Sequence, residues 1–561
     1  MKYERIIFLF LLTTMTTAAW AQPGLPSEEV EVIKIFEAQL AESEKVAVLP
    51  ELPPVDTAIS RQTYDVPLKN LKVDYPAPRI KPVTYKSDEE IADAYKAYFK
   101  LGGGVPKSIY GDGAFNTLKK IGEKSALDVG LNIFHHQADF SDKQIENQAF
   151  GLTKAAGKAT YYFDEGYAVS GNMGYTSNRV SYYGYSANRF SGFDGVDKEN
   201  VKQTFGIFDL GAKIFNGVQN AGDFNYSGGF DFYAMGDDFA ANETGFDLKL
   251  NATKWIRGKH SFDIGLRTDF TNFKAAGVSQ SLHNYWLTPS FTFHGSAIKI
   301  KAGASLVSHD DEYLPFPDLE VVVNLTGNSL AFFTGLDGGL EKNNFRSLVT
   351  YNPYINTQLP AGSLRNTKFF HLFAGLKGNL KVFEYMIQGG YKPTNDLALF
   401  YFRYPENVGD EFDLIHQFDI RYDDVNIINI RASLKATVLK NLAFTGTLSQ
   451  NIYDTNDERQ AWHLPALDAN FMAVYTTTDN KLRAKAQLNL QDGVTANGQG
   501  GVNRWTELNA LYDVSLGAEY WFVKKFGAFL EVNNLLNNKR QRWIYYPTYG
   551  INVLGGITAR F

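Results

Sequence analysis

Few side chains in this chain of 561 residues are spaced to do covalent or metal chemistry. His135 and His136 are adjacent, and adjacent residues on a strand point to opposite faces, so they cannot chelate one metal together. Asp194, Asp197 and Glu199 in FDGVDKEN, and Asp454, Asp457 and Glu458 in YDTNDE, have the carboxylate density of a calcium loop. Solvated acidic loops are the commoner use of such segments, so no metal or other cofactor is expected. Cysteine is absent, which removes disulfides, thiolate metal sites, catalytic thiols and a lipid-modified cysteine. No Gly-x-Ser-x-Gly, His-Glu-x-x-His or phosphate-loop pattern occurs, and no Ser/His/acid set can be assembled on one face. The chain does not read as an enzyme. Its 55 basic and 61 acidic residues are scattered, for a net charge of −6, which gives nucleic acid no basic block to bind.

The charges that do recur sit in alternating segments. In KLRAKAQLNLQ, Leu482, Ala484, Ala486, Leu488 and Leu490 share one face, while Arg483, Lys485, Gln487 and Asn489 share the other. In Ile298–Leu306, Lys299 and Lys301 oppose Ile298, Ile300, Ala302 and Ala304. In Ile428–Val438, Arg431 and Lys435 oppose Ile428, Ile430, Ala432 and Leu434. Asp247, Asp263, Asp269 and Glu531 occupy the polar face of similar segments. Such clean apolar faces run about nine to eleven residues, the length a tilted strand needs to cross hydrocarbon, whereas soluble strands stop near five or six. Full charges opposite them suit a wet lumen and not a dry core. These six basic residues, Lys299, Lys301, Arg431, Lys435, Arg483 and Lys485, are expected to face that lumen. There they either form a stripe that attracts anions or pair across strands, and pairing is favoured.

The elements that must position these residues are therefore strands of an all-β, large antiparallel transmembrane β-barrel. Its 32 Tyr, 42 Phe and 49 Gly suit aromatic girdles and a lipid-facing sheet. Tyr161-Tyr162-Phe163 and Tyr182-Tyr183 are expected at strand ends as interfacial rings. Residues 91–561 accommodate about 22 strands at roughly 20–22 residues each, with 20 as the rival count, since such barrels close with even numbers. The lumen is then wide enough to hold a plug or an aqueous channel.

The first residues read differently. Lys2 and Arg5 precede an apolar run from Ile6 to Leu12, and Ala19-Trp20-Ala21 offers small residues for cleavage, so residues 1–21 are expected to be an export signal. Beyond it no apolar run reaches about 18 residues, so no transmembrane helix is expected. Residues 22–90 are rich in Pro and charge, fit extended or loop conformations, and are short for a stable core. They read as a mostly irregular periplasmic or lumenal extension.

Motifs at both ends carry a resemblance. The strand FGAFLEVN runs into NNLLNNK (Asn533–Lys539), an Asn-Leu-x-Asn-x-Lys pattern, and is followed by an aromatic loop and the closing strand GINVLGGITARF. Here the chain resembles the TonB-dependent receptor superfamily, and WHLPALDANFMAVY (Trp462–Tyr475) resembles one of its late barrel strands. The N-terminal series EEVEVIKIFEAQL, LPPVD, TYDV, YPAPRIKP and AYFKLGGG is similar to plugless receptor-like barrels of Bacteroidota. No segment is large enough for the usual plug of roughly 150 residues. The resemblance implies a cell outer-membrane location after export and contact with outer-membrane lipid. It also implies an address for the barrel-assembly machinery at the terminal Phe561. Glu29, Val30, Glu31, Val32 and Ile33 resemble a TonB box, an extended segment offered by strand addition to a TonB-type or other periplasmic protein.

Two functions compete. The first is transport or gating of a solute across the outer membrane. The second is a non-transporting scaffold or accessory barrel of a larger outer-membrane complex. Transport leads because it is the commonest use of large barrels, although common ancestry does not guarantee common function.

Overall fold

The computed structural model describes residues 95–561, except 123, 143–144, 185–200, 218–221, 276, 310–311, 328, 404–416, 440 and 499–504. The expected leader, the Pro-rich extension, Glu29–Ile33 and the acidic group Asp194, Asp197 and Glu199 lie outside the described residues. The first strands are β1 (Ala97–Val105), β2 (Ser108–Lys120), β3 (Ala126–Asp139), β4 (Ala149–Tyr162), β5 (Tyr167–Ser181) and β6 (Lys202–Asn216). Then follow β7 (Phe224–Gly236), β8 (Asn242–Ile256), β9 (His260–Ala275), β10 (Val278–His294), β11 (Ile298–His309), β12 (Glu312–Thr326) and β13 (Leu330–Asn343). A short helix, α1 (Phe345–Tyr351), precedes β14 (Arg365–Leu380), β15 (Phe383–Arg403), β16 (Gln417–Leu439), β17 (Leu442–Thr455), β18 (Leu467–Thr476) and β19 (Leu482–Asp492). Two hairpins, β20 (Thr495–Asn497) with β21 (Trp505–Glu507) and β24 (Gln541–Trp543) with β25 (Tyr546–Pro547), stand apart from the main sheet. The remaining strands are β22 (Leu511–Val523), β23 (Phe526–Asn533) and β26 (Asn552–Arg560).

Twenty-two of these strands form one antiparallel sheet that closes where β1 pairs with β26. The rival count of 20 is thereby discarded. Each strand pairs with its sequence neighbour, so short connections suffice at one end. Between β8 and β9, Arg257 and Gly258 both take positive φ (54° and 64°), the geometry of a tight hairpin turn whose twist matches the strands. Both ends of the barrel wall lie at this turn end, where Phe561 N–H donates to the Ala97 carbonyl at 2.9 Å.

The period of two sorts the side chains as its two solvents require. Ile428, Ile430, Leu434 and Val438 of β16 are exposed on the outside, as are Phe262, Ile264 and Leu266 of β9 and Leu482's strand-mate Leu488 of β19. Exposed apolar side chains in such numbers, on one face of every wall strand, form a belt that water alone would not tolerate. The aromatic ends divide. Tyr162 closes β4 at the turn end, but β5 stops at Ser181, so Tyr182 and Tyr183 leave the wall and are buried at the loop end. The segment expected as a late strand from Trp462 is likewise strand only from Leu467; Trp462 and His463 are fully buried in a loop. Both exceptions have one cause: a partner cluster of rings, drawn from distant loops, outcompetes the membrane interface.

If this wall meets lipid, cysteines placed one by one along 481–490 will alternate in their reaction with a water-soluble reagent, with 482, 484, 486 and 488 protected. Ala486→Arg will lower stability by about 2–4 kcal/mol, measured by reversible unfolding in lipid. Uniform labelling, or an Arg tolerated without cost, would remove this strand from the membrane.

Candidate functional site

The loop end is not open. The connection between β13 and β14, residues 344–364, turns inward and begins with α1, whose N-cap Asn344 and Ser347 form a reciprocal capping box. Phe345, Leu348 and Val349 are its buried face. Phe345 meets Phe205 of β6 and Phe273 of β9, with ring centroids 6.2 and 5.2 Å away. The Glu243 carboxylate of β8 accepts the N–H groups of Phe345 (2.7 Å) and Arg346 (3.1 Å). Tyr233 of β7 donates to the same carboxylate (2.8 Å) and accepts from the Asn344 amide (2.7 Å). The Arg346 guanidinium forks onto Asp209 of β6, at 2.7 and 3.3 Å, and lies 4.6 Å from the centre of the Tyr233 ring. Asp209 shares the inner face of β6 with buried Phe205 and Ile207, opposite exposed Phe208 and Leu210.

Farther along, the same loop reaches the other side of the mouth. Phe418 of β16 donates its N–H to the Tyr354 carbonyl at 3.1 Å, and Asn356 N–H returns to the Phe418 carbonyl at 2.9 Å. Tyr354 stacks on Tyr546 of β25 at 3.9 Å. The connection is thus a strap, bolted to β6, β7 and β8 at one end and to β16 and the β24–β25 hairpin at the other.

That hairpin is placed by the Asn-rich motif. Asn534 and Asn537 take left-handed φ near 49°, which asparagine tolerates. The Asn534 side chain donates to the carbonyls of Asn538 (3.0 Å) and Tyr549 (2.8 Å) and accepts from Asn538 N–H (2.9 Å), tying both ends of the loop together. Arg542 then donates to the His463 carbonyl at 2.6 Å and to the Tyr351 hydroxyl at 2.9 Å. His463 is buried among Phe418, at 4.9 Å, and Trp543, at 5.4 Å. Its Nδ1–H donates to the Phe400 carbonyl at 2.7 Å, and its Nε2 accepts from Ile544 N–H at 3.4 Å. A neutral ring is the form that can donate from one nitrogen and accept at the other. Burial accordingly holds its pKa down to about 3, with the Phe400 carbonyl working against the shift and the Arg542 charge adding to it. With Tyr182, Tyr183, Phe400 and Phe402 these groups make one continuous apolar cluster that caps the mouth. Each large ring buried there contributes roughly 1.5–3 kcal/mol, enough to order loops that would otherwise fray.

Below the cap the wall is charged, unevenly. Across β7, β8 and β9, Lys249 meets Asp231 (3.0 Å) and Asp247 (3.2 Å), and Arg267 meets Asp247 (2.7 Å) and Asp269 (3.2 Å); Lys342 of β13 adds a further contact to Asp269. The sequence-predicted cations fall in three places. Lys299 and Lys301 are on β11, and Lys301 pairs with Asp318 of β12 at 2.5 Å. Arg431 and Lys435 are on β16, facing Gln388 and Glu384 across one ladder and Ser449 and Thr445 across the other. Arg483 and Lys485 are on β19, opposite Thr476 and Val474 of β18. Among the described residues, Lys299, Arg431, Lys435, Arg483 and Lys485 form no ion pair. Cross-strand pairing, the favoured expectation, therefore describes Lys301 and the β7–β9 wall but not these five.

A cavity of about 450 Å³ opens beside the closing seam, lined by Tyr110, His136, Phe150, Asp513, Asn538 and Tyr549 among others. Glu531 on its wall is held by Lys100. Among the described residues, both ends of the buried Asn538 amide and the Nε2 of His136 have no partner. An unmatched amide among aromatic faces can hold a solute that offers an adjacent donor and acceptor. His135 is on the other face, its Nδ1 2.8 Å from Thr153 Oγ1, so the two histidines do not converge. Glu458 is committed to Trp462 (2.7 Å) and Arg421 (3.0 Å), and among the described residues no group of His, Cys, Asp and Glu is placed to hold a metal. Sequence reasoning missed the strap and the cavity. Asn344 followed by Ser347 before an apolar turn was the available sign of the helix.

No family model matches the chain, and no curated protein matches it. Solved structures do. The siderophore receptor PirA from Acinetobacter baumannii is similar in fold at 10% identity, with a TM-score of 0.61 over 83% of this chain and 80% of that one. The FrpB iron transporter from Neisseria meningitidis gives 9% identity and 0.61 over 84% and 82%. The ferripyoverdine receptor of the outer membrane of Pseudomonas aeruginosa gives 11% and 0.58 over 83% and 72%. At such identities the likeness is one of fold: the 22-stranded barrel of this chain is similar in fold to those receptors.

Proposed function

We propose that the chain is a TonB-dependent-receptor-like barrel of the outer membrane that gates or transports a solute, and that it is not an enzyme. The observation that carries this reading is the inward strap: a wide polar lumen with a mouth closed by a loop bolted to opposite walls is a gated passage. The unpaired cations of β16 and β19 face that passage in this reading and raise the local concentration of anionic solutes. The loop end faces outward and the turn end faces the periplasm. Phe561 is the address for the barrel-assembly machinery. Glu29–Ile33 offers a strand to a TonB-type or other periplasmic protein. The receptors similar in fold are described as taking up siderophores or iron, which supports transport without naming a substrate for this chain.

Arg346→Ala tests the gate. It removes a partly exposed ion pair and a cation–π contact, together about 1–2 kcal/mol, or roughly tenfold in the closed-to-open ratio. Single-channel recordings in a planar bilayer should show more frequent open events than the wild type. Identical traces would mean the strap does not limit passage.

Acid should loosen the same cap. The folded pKa of His463, about 3, lies below its ordinary value of 6.5, so a released loop takes up a proton that the packed loop refuses. The stabilisation is complete above pH 6.5 and is lost by roughly 1.4 kcal/mol per pH unit as pH falls toward 3. Hydrogen exchange of residues 541–547 will accelerate over that window, and His463→Gln will abolish the acceleration. An unchanged pH profile in that variant would place the acid response elsewhere.

The N-terminal segment is tested by deleting residues 23–90 with the leader kept. Larger conductance is expected if the segment occupies the lumen. Unchanged conductance with loss of a crosslinked periplasmic protein favours recruitment and the scaffold reading. No change in either would leave it a passive tether.

A further inference from the structure

One carboxylate on the inner wall keeps an oxygen in reserve. Asp513, Ser515 and Gly517 of β22 face inward, between exposed Tyr512 and Leu516 on the outside. The Asp513 Oδ1 accepts the Ser515 hydroxyl at 2.8 Å and the Asn534 N–H at 3.1 Å, which fixes the carboxylate against the loop. Its Oδ2 takes neither hydrogen bond nor ion pair among the described residues. Asp513 lines the cavity of about 450 Å³ beside the closing seam, and rings line it as well. His136 meets Phe150 edge-on at 5.0 Å, Phe150 meets Tyr549 at 5.0 Å, and Tyr110 meets His136 at 5.6 Å. Asn538, only 8% exposed, adds an amide with no partner at either end among the described residues. Rings suit an apolar side chain, and a carboxylate beside them suits an ammonium.

The neighbouring strand sets a second condition. On β19, Asn489 stands opposite Asp513 and Lys485 stands opposite Gly517, with Gln487 between them on the same face. Four residues along the strand place Lys485 about 13 Å toward the turn end from Asp513. Lys485 has no ion pair among the described residues. Gly517 leaves the floor beside it bare, since a Cβ there would stand 3.3 Å from Glu531 Cγ. A simple amine meets Asp513 but is repelled by Lys485. A solute that satisfies both carries an ammonium and a carboxylate about 13 Å apart, with an apolar group near the ammonium. An extended chain of about four amino acids has that span.

We propose that this stretch of the inner wall binds short peptides with free ends. The α-ammonium binds Asp513 Oδ2, and the first side chain enters the ring-lined cavity. The backbone lies along Asn489 and Gln487, and the terminal carboxylate meets Lys485. The first peptide group offers the adjacent N–H and C=O that the Asn538 amide lacks. Such a site rests on the transport reading and names its solute class, since the peptide reaches the cavity through the lumen.

The test is calorimetry on the full chain in detergent, with the tetrapeptide Phe-Ala-Ala-Ala as probe. Wild type should bind it roughly tenfold more tightly than its N-acetylated form, and likewise than its C-amidated form. Asp513→Asn keeps a carbonyl for Ser515 and Asn534. It should erase the preference for the free amine and leave the preference for the free carboxylate. Lys485→Gln should do the reverse, and Lys299→Gln on β11 should match wild type. Heat-modifiable migration on gels verifies that each variant is folded. Equal binding of the free and N-acetylated peptides by wild type would overturn the site. So would a preference for the free amine that survives Asp513→Asn. Equal binding of the C-amidated peptide would reduce the site to one for simple amines and overturn the peptide assignment. Binding is read without any flux, so a gate that ignores Arg346→Ala leaves this result standing. Absent binding beside a working gate sinks the peptide site alone.

Discussion

Everything in this molecule depends on the closure of one hydrogen-bonded ring. A sheet edge in hydrocarbon leaves N–H and C=O groups with no partner, at several kcal/mol each, so a spanning sheet must have no edge. The chain meets that demand where its first and last wall strands pair, from Tyr98 opposite Arg560 to Val105 opposite Val553. The middle of the seam is almost without side chains: Gly102, Gly103 and Gly104 face Gly556, Gly555 and Leu554. A Cβ at Gly104 would sit 1.9 Å from the Val553 carbonyl oxygen, and one at Gly556 would sit 2.0 Å from that of Leu101. At Gly102, Gly104 and Gly556 backbones this close leave no room for a Cβ. The glycines are therefore what lets the last strand added lock onto the first.

Closure creates two environments, and the side chains follow from them. The outer face meets hydrocarbon and is apolar. The inner face meets water and carries charge, which the β7–β9 wall neutralises by pairing each cation with two carboxylates. A wet lumen keeps such pairs weak, so they stiffen the wall without the desolvation penalty of a dry core. In the proposed reading the same wetness permits Arg431, Lys435, Arg483 and Lys485 to remain without an ion pair among the described residues. A dry interior would have forced a partner on each or neutralised it.

The barrel was legible in the sequence because two solvents impose a local rule. Leu482 to Leu490 state their faces to anyone reading every second residue, and a spacing of about 21 residues narrows the count to 22 strands or 20, between which closure of the sheet decides. The cap obeys no local rule. Trp462 and His463 read as the start of a strand because their neighbours alternate. What withdraws them is Trp543, 80 positions after His463, and Phe400 and Phe418, 63 and 45 positions before it, none of which signals itself. Tyr182 and Tyr183 mislead in the same way: an aromatic pair at a strand end fits a girdle or a core equally well, and only long-range packing decides. Among the described residues, five of the six basic residues singled out from sequence lack the ion partners expected for them. Pairing depends on which strands adjoin and how far side chains reach, and neither is encoded within one strand.

The cap and the wall differ in kind, and that difference bears on how a passage could open. The wall is held by ladders that run around the whole ring, so no part of it yields without the rest. The cap is held by discrete contacts, among them one carboxylate at the head of α1, one guanidinium on Asp209, one neutral imidazole, the backbone pair at Phe418, and a set of stacked rings. The strap that joins them is a single connection of 21 residues, long enough to swing while its anchors on β13 and β14 stay fixed. Separating these rings also breaks the backbone pair that Phe418 makes with Tyr354 and Asn356, and it exposes apolar surface that a bound solute could cover in turn. A ligand that binds the open mouth more tightly than the closed one would shift the balance by that difference and no more. The few polar bolts, each worth on the order of 1 kcal/mol, set the scale of what such a ligand must supply beyond the packing itself.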